Sequence, residues 1–163
     1  MSTRDQGADA SPRDGETRTA SDAQSLAERS VTRLYDGDRA SQALGMRIVR
    51  VAPGAAELTM RVRADMVNGH AICHGGYVFT LADSTFAFAC NSYNRVTVAA
   101  GAEIRFRAPT RLGDVLTATA TERQRAGRDG TYDISVSNAA GTVVATFVGR
   151  SKEIGGTLFE AEP

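Results

Sequence analysis

The stretch that decides the fold is YVFTLADSTFAFACNS, residues 77–92. Apolar residues lie on nearly every side of the helix that this stretch would form, so most of that helix must be buried. Its only charged residue is Asp83, in the middle. Burying a carboxylate without a partner is costly, and a helix interior offers no free N–H group for it to cap. We therefore favour a functional carboxylate, acting as nucleophile or general base, over one that hydrogen-bonds nearby backbone.

Strand-like segments flank this helix in the sequence. Two precede it and four follow, and they are residues 46–52, 56–64, 97–108, 115–126, 131–139 and 142–152. Several alternate between apolar and polar residues, which is typical of an antiparallel sheet with one buried face. The only element that this face can cover is helix 76–91. The pattern predicts an α+β hotdog fold, in which a six-stranded antiparallel sheet wraps around one long central helix.

The N-terminal region divides into two parts. Residues 1–23 are mainly Ser, Thr, Gly, Asp and Arg, a composition that predicts a disordered tail. From Ser25 onward the apolar residues approximate a helical face and predict a short N-terminal helix. We therefore expect a single domain over residues 24–163, a normal length for one domain.

Composition excludes several classes of protein. The 19 basic and 19 acidic residues balance, whereas a nucleic-acid-binding protein needs an excess of basic charge on one face. No apolar run approaches the roughly 20 residues that span a bilayer, and the first residues lack the apolar core of a secretion signal. We expect a cytoplasmic protein with no nucleic-acid or membrane partner and with Cys73 and Cys90 reduced.

The sequence His74-Gly75-Gly76 opens the central helix. A helix N-terminus presents free N–H groups and the positive end of the helix dipole, and glycine lets a ligand approach the backbone closely. Such a site can stabilise the oxyanion that forms from a thioester carbonyl. The alternative is a tight turn into the helix. The presence of Asp83 in the same helix favours the oxyanion hole.

Other polar residues near the helix start have weaker signals. The spacing of His70, Cys73 and His74 does not match common zinc sites, so we expect no metal. Cys73 ranks low as a nucleophile, because the side chains of adjacent residues such as Cys73 and His74 rarely face each other. Asn68, followed by Gly69, is either a turn residue or an amide donor to a substrate carbonyl or water. The pattern alone favours the turn.

The spacing between the two candidate groups predicts an oligomer. Asp83 follows Gly75 by eight positions, which is about 12 Å along a helix. A nucleophile and an oxyanion donor must both lie about 3 Å from the reacting atoms. One aspartate side chain cannot close that gap. We therefore predict a homodimer in which Asp83 of each chain reaches Gly75 and Asn68 of the other.

The stretch NGHAICHGGYVFTLADSTFAFACNS (68–92) resembles the PaaI-type thioesterases of phenylacetate degradation. The N-G-H, C-H-G-G and L-A-D elements of that family stand here at matching spacing, and the resemblance extends from about Leu34 to Thr157. It implies hydrolysis of acyl-CoA thioesters, often aryl-acetyl ones, by a hotdog-fold enzyme. It also implies that no metal or cofactor is needed, since CoA belongs to the substrate.

The resemblance assigns roles residue by residue. Asp83 matches the catalytic carboxylate, Gly75 the oxyanion-hole glycine, and Asn68 a residue that positions the thioester or water. His74 matches the motif histidine beside them. Ser84 stands where many relatives have Thr, which keeps the hydroxyl.

Further residues are candidates for binding the substrate. We place Gly76 and Ser84 near it, and we expect basic side chains to pair with the CoA phosphates: Arg105, Arg107, Arg111, Arg150 and Lys152. The alternative for these five is a solvated strand face. Two other functions remain open because the fold hosts several activities. They are a hotdog hydratase and a non-catalytic acyl-CoA sensor. We further expect two dimers to pair into a homotetramer.

Overall fold

The computed structural model describes residues 13–160. Within that range the chain forms three α-helices, one turn of 3₁₀ helix at Ala64–Met66, and six strands. The α-helices are α1 (Arg13–Gly37), α2 (Arg39–Ala43) and α3 (Gly75–Asn91). The strands are β1 (Arg47–Ala52), β2 (Ala55–Arg61), β3 (Thr97–Phe106), β4 (Val115–Ala126), β5 (Asp129–Asn138) and β6 (Val143–Glu153).

All six strands belong to one antiparallel sheet, in the order β1-β2-β4-β5-β6-β3. The strands before and after α3 thus meet where β2 pairs with β4, and β1 and β3 form the two free edges. Helix α3 contacts every strand, so the sheet wraps around it. The predicted hotdog architecture of six strands around a central helix is confirmed.

Aromatic packing fixes α3 against the sheet. The ring of Phe86 is fully buried and lies with its centroid 5.4 Å from that of Tyr132 and 6.0 Å from that of Phe147. A Cβ atom on Gly149 of β6 would lie 2.7 Å from the Phe86 ring, closer than real side chains approach. The missing side chain at position 149 therefore allows the helix to approach β6 closely.

One face of α3 is not covered by the rest of the chain. Thr80, Asp83 and Ala87 are partly exposed and Gly76 is exposed. These four residues, spaced four, three and four apart, lie on one side of the helix and are called the α3 stripe below. Tyr77, Phe79 and Ser84 of α3 are partly exposed as well, so within one chain the helix is less completely buried than the sequence predicts.

The N-terminal helix is longer than predicted. Helix α1 has 25 residues and begins at Arg13, so residues 13–23 are helical rather than part of a disordered tail. Ala27 and Val31 are buried in the core and fix the C-terminal part of α1. A helix that has formed there can extend toward the N-terminus, because each added residue gains one hydrogen bond without a new nucleation step. Residues 1–12 of the predicted tail lie outside the described residues, and the single domain over residues 24–163 stays a prediction.

Candidate active site

A cleft of about 500 Å³ opens where the start of α3 meets the end of β3. Asn68 and Gly75, both expected at a catalytic site, line this cleft together with Arg107. Phe106 and Cys73 supply part of its apolar wall. The structure therefore brings two of the predicted catalytic residues and one of the predicted CoA-binding residues to a single opening, called the α3 cleft below.

Gly75 is the first residue of α3, and its backbone N–H donates to no acceptor among the described residues. The ring of Phe106 lies where a side chain at this position would extend, 2.9 Å from the place of a Cβ atom. A free N–H at the positive end of a helix dipole is suited to bind an oxygen that gains negative charge. The geometry of Gly75 therefore fits an oxyanion hole.

His74 caps the helix. Its Nδ1 accepts a hydrogen bond of 3.0 Å from the backbone N–H of Gly76, which places the proton of a neutral ring on Nε2. The N–H of Gly76 is thus used by the cap and does not compete for a ligand. Of the two glycines that the sequence singled out, Gly75 keeps the free donor.

Asn68 shapes a turn, as the sequence pattern favours, and its role as a donor to substrate stays a prediction. Its side-chain oxygen accepts from the N–H groups of His70, at 2.9 Å, and Ile72, at 3.4 Å, which shapes the loop. That loop places Ala71 at φ 58°, a left-handed conformation that costs a non-glycine residue some energy. The Asn68 amide nitrogen has no acceptor among the described residues, so it remains free to donate in the α3 cleft.

Asp83 lies on the α3 stripe and does not line the cleft. Its carboxylate makes no hydrogen bond or ion pair with another described residue, and burial raises its pKa above the ordinary value. All nine residues from Gly75 to Asp83 are helical, and the eight steps between these two separate their backbones by about 12 Å along the axis. One chain therefore does not bring Asp83 together with Gly75 and Asn68.

Ser84 faces a different element. Its hydroxyl lies 2.8 Å from that of Ser41, which in turn donates to Asp38, the residue that caps α2. This chain of hydrogen bonds ties α3 to α2 and does not include the α3 cleft. The contacts of Ser84 therefore favour a structural role over the predicted contact with substrate.

The five basic candidates differ in their surroundings. Arg107 lines the α3 cleft and has no ion-pair partner among the described residues. Arg105 pairs with Glu103 at 2.9 Å, and Lys152 pairs with Asp129 at 2.9 Å, all four side chains being exposed. Arg111 and Arg150 are exposed and have no described ion-pair partner. Position alone singles out Arg107 as a ligand for an anion bound at the cleft.

The cysteines do not look reactive. Burial raises the pKa of the Cys73 thiol, and it raises the pKa of Cys90 to about 12, so both are protonated at neutral pH. Cys90 is buried in the core. Within residues 13–160, no three His, Cys, Asp or Glu side chains cluster as metal ligands would, and the absence of a metal stays a prediction.

The match to known proteins follows the same residues. The family model for the thioesterase superfamily matches residues 70–145, which include His74, Gly75 and Asp83. The acyl-coenzyme A thioesterase PaaI of Escherichia coli is 46% identical over 125 residues, which are 77% of this chain and 89% of that protein. The chain belongs to the thioesterase superfamily.

Solved structures agree with this thioesterase-superfamily assignment. The E. coli PaaI protein from the phenylacetic acid degradation operon superposes with a TM-score of 0.82 at 43% identity, covering 83% of this chain and 98% of that one. A mutant of the phenylacetic acid degradation protein PaaI from Thermus thermophilus has a TM-score of 0.69 at 34% identity. That match covers 72% of this chain and 100% of the other.

Sequence reasoning overlooked Phe106 in this thioesterase-superfamily chain. The alternation in β3 assigns Phe106 to the same apolar face as Ile104, yet its side chain is 55% exposed and forms part of the cleft wall. Phe106 is the last residue of an edge strand, where no neighbouring strand lies beyond it to cover the ring. The sequence carried no signal for this position, because alternation does not reveal which strands lie at the edges of the sheet.

Proposed function

We propose that this chain hydrolyses acyl-CoA thioesters to a free acid and CoA. Phenylacetyl-CoA and hydroxyphenylacetyl-CoA are candidate substrates. The observation that carries the proposal is that two unused hydrogen-bond donors, the Gly75 N–H and the Asn68 amide, line one cleft. The identity to the E. coli acyl-CoA thioesterase and the family membership support the same activity.

The two donors act on the thioester carbonyl. Its oxygen accepts from the Gly75 N–H, which becomes a stronger partner as negative charge develops on the oxygen in the transition state. Asn68, with its oxygen held in the loop, directs its amide toward the thioester or the attacking water. His74 holds the first turn of the helix in place through its bond to Gly76.

Asp83 supplies the carboxylate, by one of two routes. As a general base it takes a proton from water, whose oxygen attacks the carbonyl carbon while the bond to sulfur breaks and CoA leaves as a thiolate. As a nucleophile it attacks the same carbon itself, forming an anhydride that water then hydrolyses. A pKa raised by burial makes this carboxylate a stronger base than an exposed aspartate.

We further propose that two chains share each site. The exposed α3 stripe carries Asp83, and β3 next to it is a free edge strand whose residues are all partly or fully exposed. A free edge strand with an exposed Val98 favours pairing with another chain. A two-fold axis beside β3 would continue the sheet and place each Asp83 near Gly75 of the partner subunit.

The remaining predictions fit this arrangement without being tested by it. Arg107, at the cleft, is the basic residue that we propose for a CoA phosphate. None of the helices within residues 13–160 has the length and apolar character needed to cross a bilayer. The homotetramer, the cytoplasmic location and the absence of a cofactor stay predictions.

The activity is tested by following CoA release from short-chain, long-chain and aryl acyl-CoAs with a thiol reagent. We expect turnover of several of them, and turnover that depends on Asp83. Two other outcomes would replace the proposal. Hydration of an enoyl-CoA without thiol release would indicate a hydratase, and tight binding without turnover would indicate a sensor.

The shared site is tested by mixing subunits. An Asp83→Asn chain and an Asn68→Ala chain, each nearly inactive alone, are co-expressed with different tags and purified as a heterodimer. One site then holds both defects and the other is intact, so about half of the wild-type activity per dimer should return, by counting sites under two-fold symmetry. No recovery in verified heterodimers would mean that each chain carries a complete site.

A further inference from the structure

A second cavity, of about 560 Å³, lies between α1, α3 and the segment after β6. Ala87 and Phe88 of α3 line it, together with Leu34 of α1 and Leu158 near the C-terminal end of the described chain. None of its lining residues belongs to the α3 cleft. We call it the α1–α3 cavity.

Helix geometry connects this cavity to Asp83. Ala87 follows Asp83 by four residues in α3, so the two lie on the same face about 6 Å apart along the axis. Both belong to the partly exposed α3 stripe. The cavity therefore begins one helical turn from the carboxylate, on the chain that contributes Asp83 and not on the one that contributes Gly75 to the same site.

The chemistry of the lining selects an apolar ligand. Leu34, Ala87 and Leu158 offer aliphatic surface, with the fully buried ring of Phe88 behind them. The carboxylate of Asp38 is already bound by the N–H and hydroxyl of Ser41. Arg33 is the cation in the lining, and its side chain belongs to an exposed residue. The volume lies in the range of small-molecule sites.

The far end of the cavity is identified by its contacts. The backbone N–H of Leu158 donates to the side-chain oxygen of Asn94 at 3.1 Å, and Asn94 follows the C-terminal end of α3. Leu158 thus lies beyond the helix end, whereas Asp83 lies at its middle. A chain that enters beside Asp83 and runs along Ala87 would meet Leu158 last.

We infer that the α1–α3 cavity binds the apolar acyl group of the thioester and that Leu158 limits the length of that group. The inference rests on the proposed acyl-CoA hydrolysis and names the substrate class. One subunit binds CoA and the carbonyl at its α3 cleft, and the other binds the acyl group in its α1–α3 cavity and provides Asp83. The site is incomplete without both.

The first test compares Leu158→Trp, Leu158→Ala and wild type over saturated acyl-CoAs from acetyl to dodecanoyl. Leu158→Trp should leave kcat/KM for acetyl-CoA within about twofold of wild type. For the longest acyl-CoA that wild type hydrolyses well, it should lower kcat/KM at least about tenfold. The reason is that each methylene group that can no longer be buried weakens binding about fourfold. Leu158→Ala should extend the preference to longer chains. Ile154→Trp is the matched control, because Ile154 is 55% exposed after β6 and does not line the cavity.

The second test asks which subunit holds the acyl group. In one heterodimer Asp83→Asn and Leu158→Trp are on the same chain, and in the other they are on different chains. The one intact active site takes both its carboxylate and its acyl cavity from the chain that keeps Asp83. In the first heterodimer that chain also keeps Leu158, so the ratio of long-chain to acetyl activity should equal that of wild type. The second should show the lowered ratio of the Leu158→Trp homodimer.

The outcomes separate the inference from the proposed function. Wild-type hydrolysis of acyl-CoAs with an unchanged chain-length profile in both Leu158 variants would overturn the inference and leave the function standing. An equal loss of kcat/KM on all substrates would also overturn the inference, because it would indicate a structural role for Leu158. Equal ratios of long-chain to acetyl activity in the two heterodimers would refute the division between subunits. A wild-type chain that hydrolyses no acyl-CoA would overturn the function and the inference together.

Discussion

At the start of α3 the polar groups are largely used in local hydrogen bonds, whereas Asp83 in the middle of the same helix has no partner among the described residues. His74 binds the N–H of Gly76, and the side-chain oxygen of Asn68 holds its own loop. Two donors beside these hydrogen bonds remain free: the backbone N–H of Gly75 and the side-chain amide of Asn68. The start of the helix is therefore preorganised within one chain.

The difference teaches how the two halves of a reaction can be divided between chains. Fixed donors are effective because they need no reorganisation when charge develops in the transition state. An unpaired, half-buried carboxylate is unfavourable in an isolated chain, and it is useful only where a substrate or another subunit approaches it. The first region holds its donors in place within one chain, whereas the carboxylate of the second has no partner among the described residues.

The largest expected effect comes from removing the carboxylate at the middle of α3. Asp83→Asn keeps the size and the helix and removes the base or nucleophile, so kcat should fall by roughly a thousandfold or more. The measurement is CoA release under saturating substrate, with circular dichroism to show that the fold is intact. Turnover close to wild type would remove Asp83 from the mechanism.

The same substitution should have a distinctive effect on stability. Because burial raises the folded-state pKa of Asp83, the native state binds more protons than the unfolded state between the unfolded and folded pKa values. The wild-type free energy of unfolding therefore falls as pH rises through that window and then stays lowered. Asp83→Asn lacks this loss, so denaturant titrations should find it more stable than wild type at neutral pH and closer to wild type at low pH. If the free energies of unfolding of Asp83→Asn and wild type differed by the same amount at both pH values, the raised pKa of Asp83 would be contradicted.

The next effect comes from the start of the helix, through Asn68. Asn68→Asp keeps an oxygen that can accept from the N–H groups of His70 and Ile72 and removes the amide donor, so kcat should fall by about a hundredfold with the loop intact. Asn68→Ala should show the same loss of kcat and also a lower melting temperature. Full activity in Asn68→Asp would limit this residue to the turn.

The sequence was sufficient for the architecture because its signals are local and repeated. The nearly continuous apolar surface of residues 77–92 and the alternating strands determine what can be buried, and the six strands and the central helix follow from that. The start of the helix was equally readable, since His74, Gly75 and Gly76 are consecutive. Asp83 was recognisable because one charge in an apolar helix needs an explanation.

What the sequence could not provide depends on contacts between distant segments. Ser84 looked like a substrate contact until its bond to Ser41, 43 residues earlier, was known. Phe106 lies against Gly75 only because β3 is an edge strand, and strand order cannot be read from alternation. The part of α1 before residue 24 has no apolar pattern that the sequence could reveal. It is helical because it extends the part of α1 that packs against the core.

A smaller effect is expected at the entrance to the cleft. Arg107→Glu should raise KM about tenfold with little change in kcat, because it removes a binding charge that does not act in the chemical step. Arg105→Glu is the matched control, two residues along the same segment but paired with Glu103. An equal rise in KM for both variants would indicate a general effect of surface charge instead of a specific contact.

The smallest effect is expected from the helix cap at His74, and it separates positioning from catalysis. His74→Ala removes the acceptor for the Gly76 N–H, which should lower the free energy of unfolding by about 1 kcal/mol. For a chain of this length that corresponds to a fall in melting temperature of about 2–4 °C. His74→Asn restores a side-chain oxygen that caps a helix well, so stability and kcat should both return toward wild type if the imidazole acts only through the cap.

If His74→Asn regains stability while kcat stays as low as in His74→Ala, the imidazole contacts the substrate. The preorganised start of α3 would then contain a third reacting group beside Gly75 and Asn68.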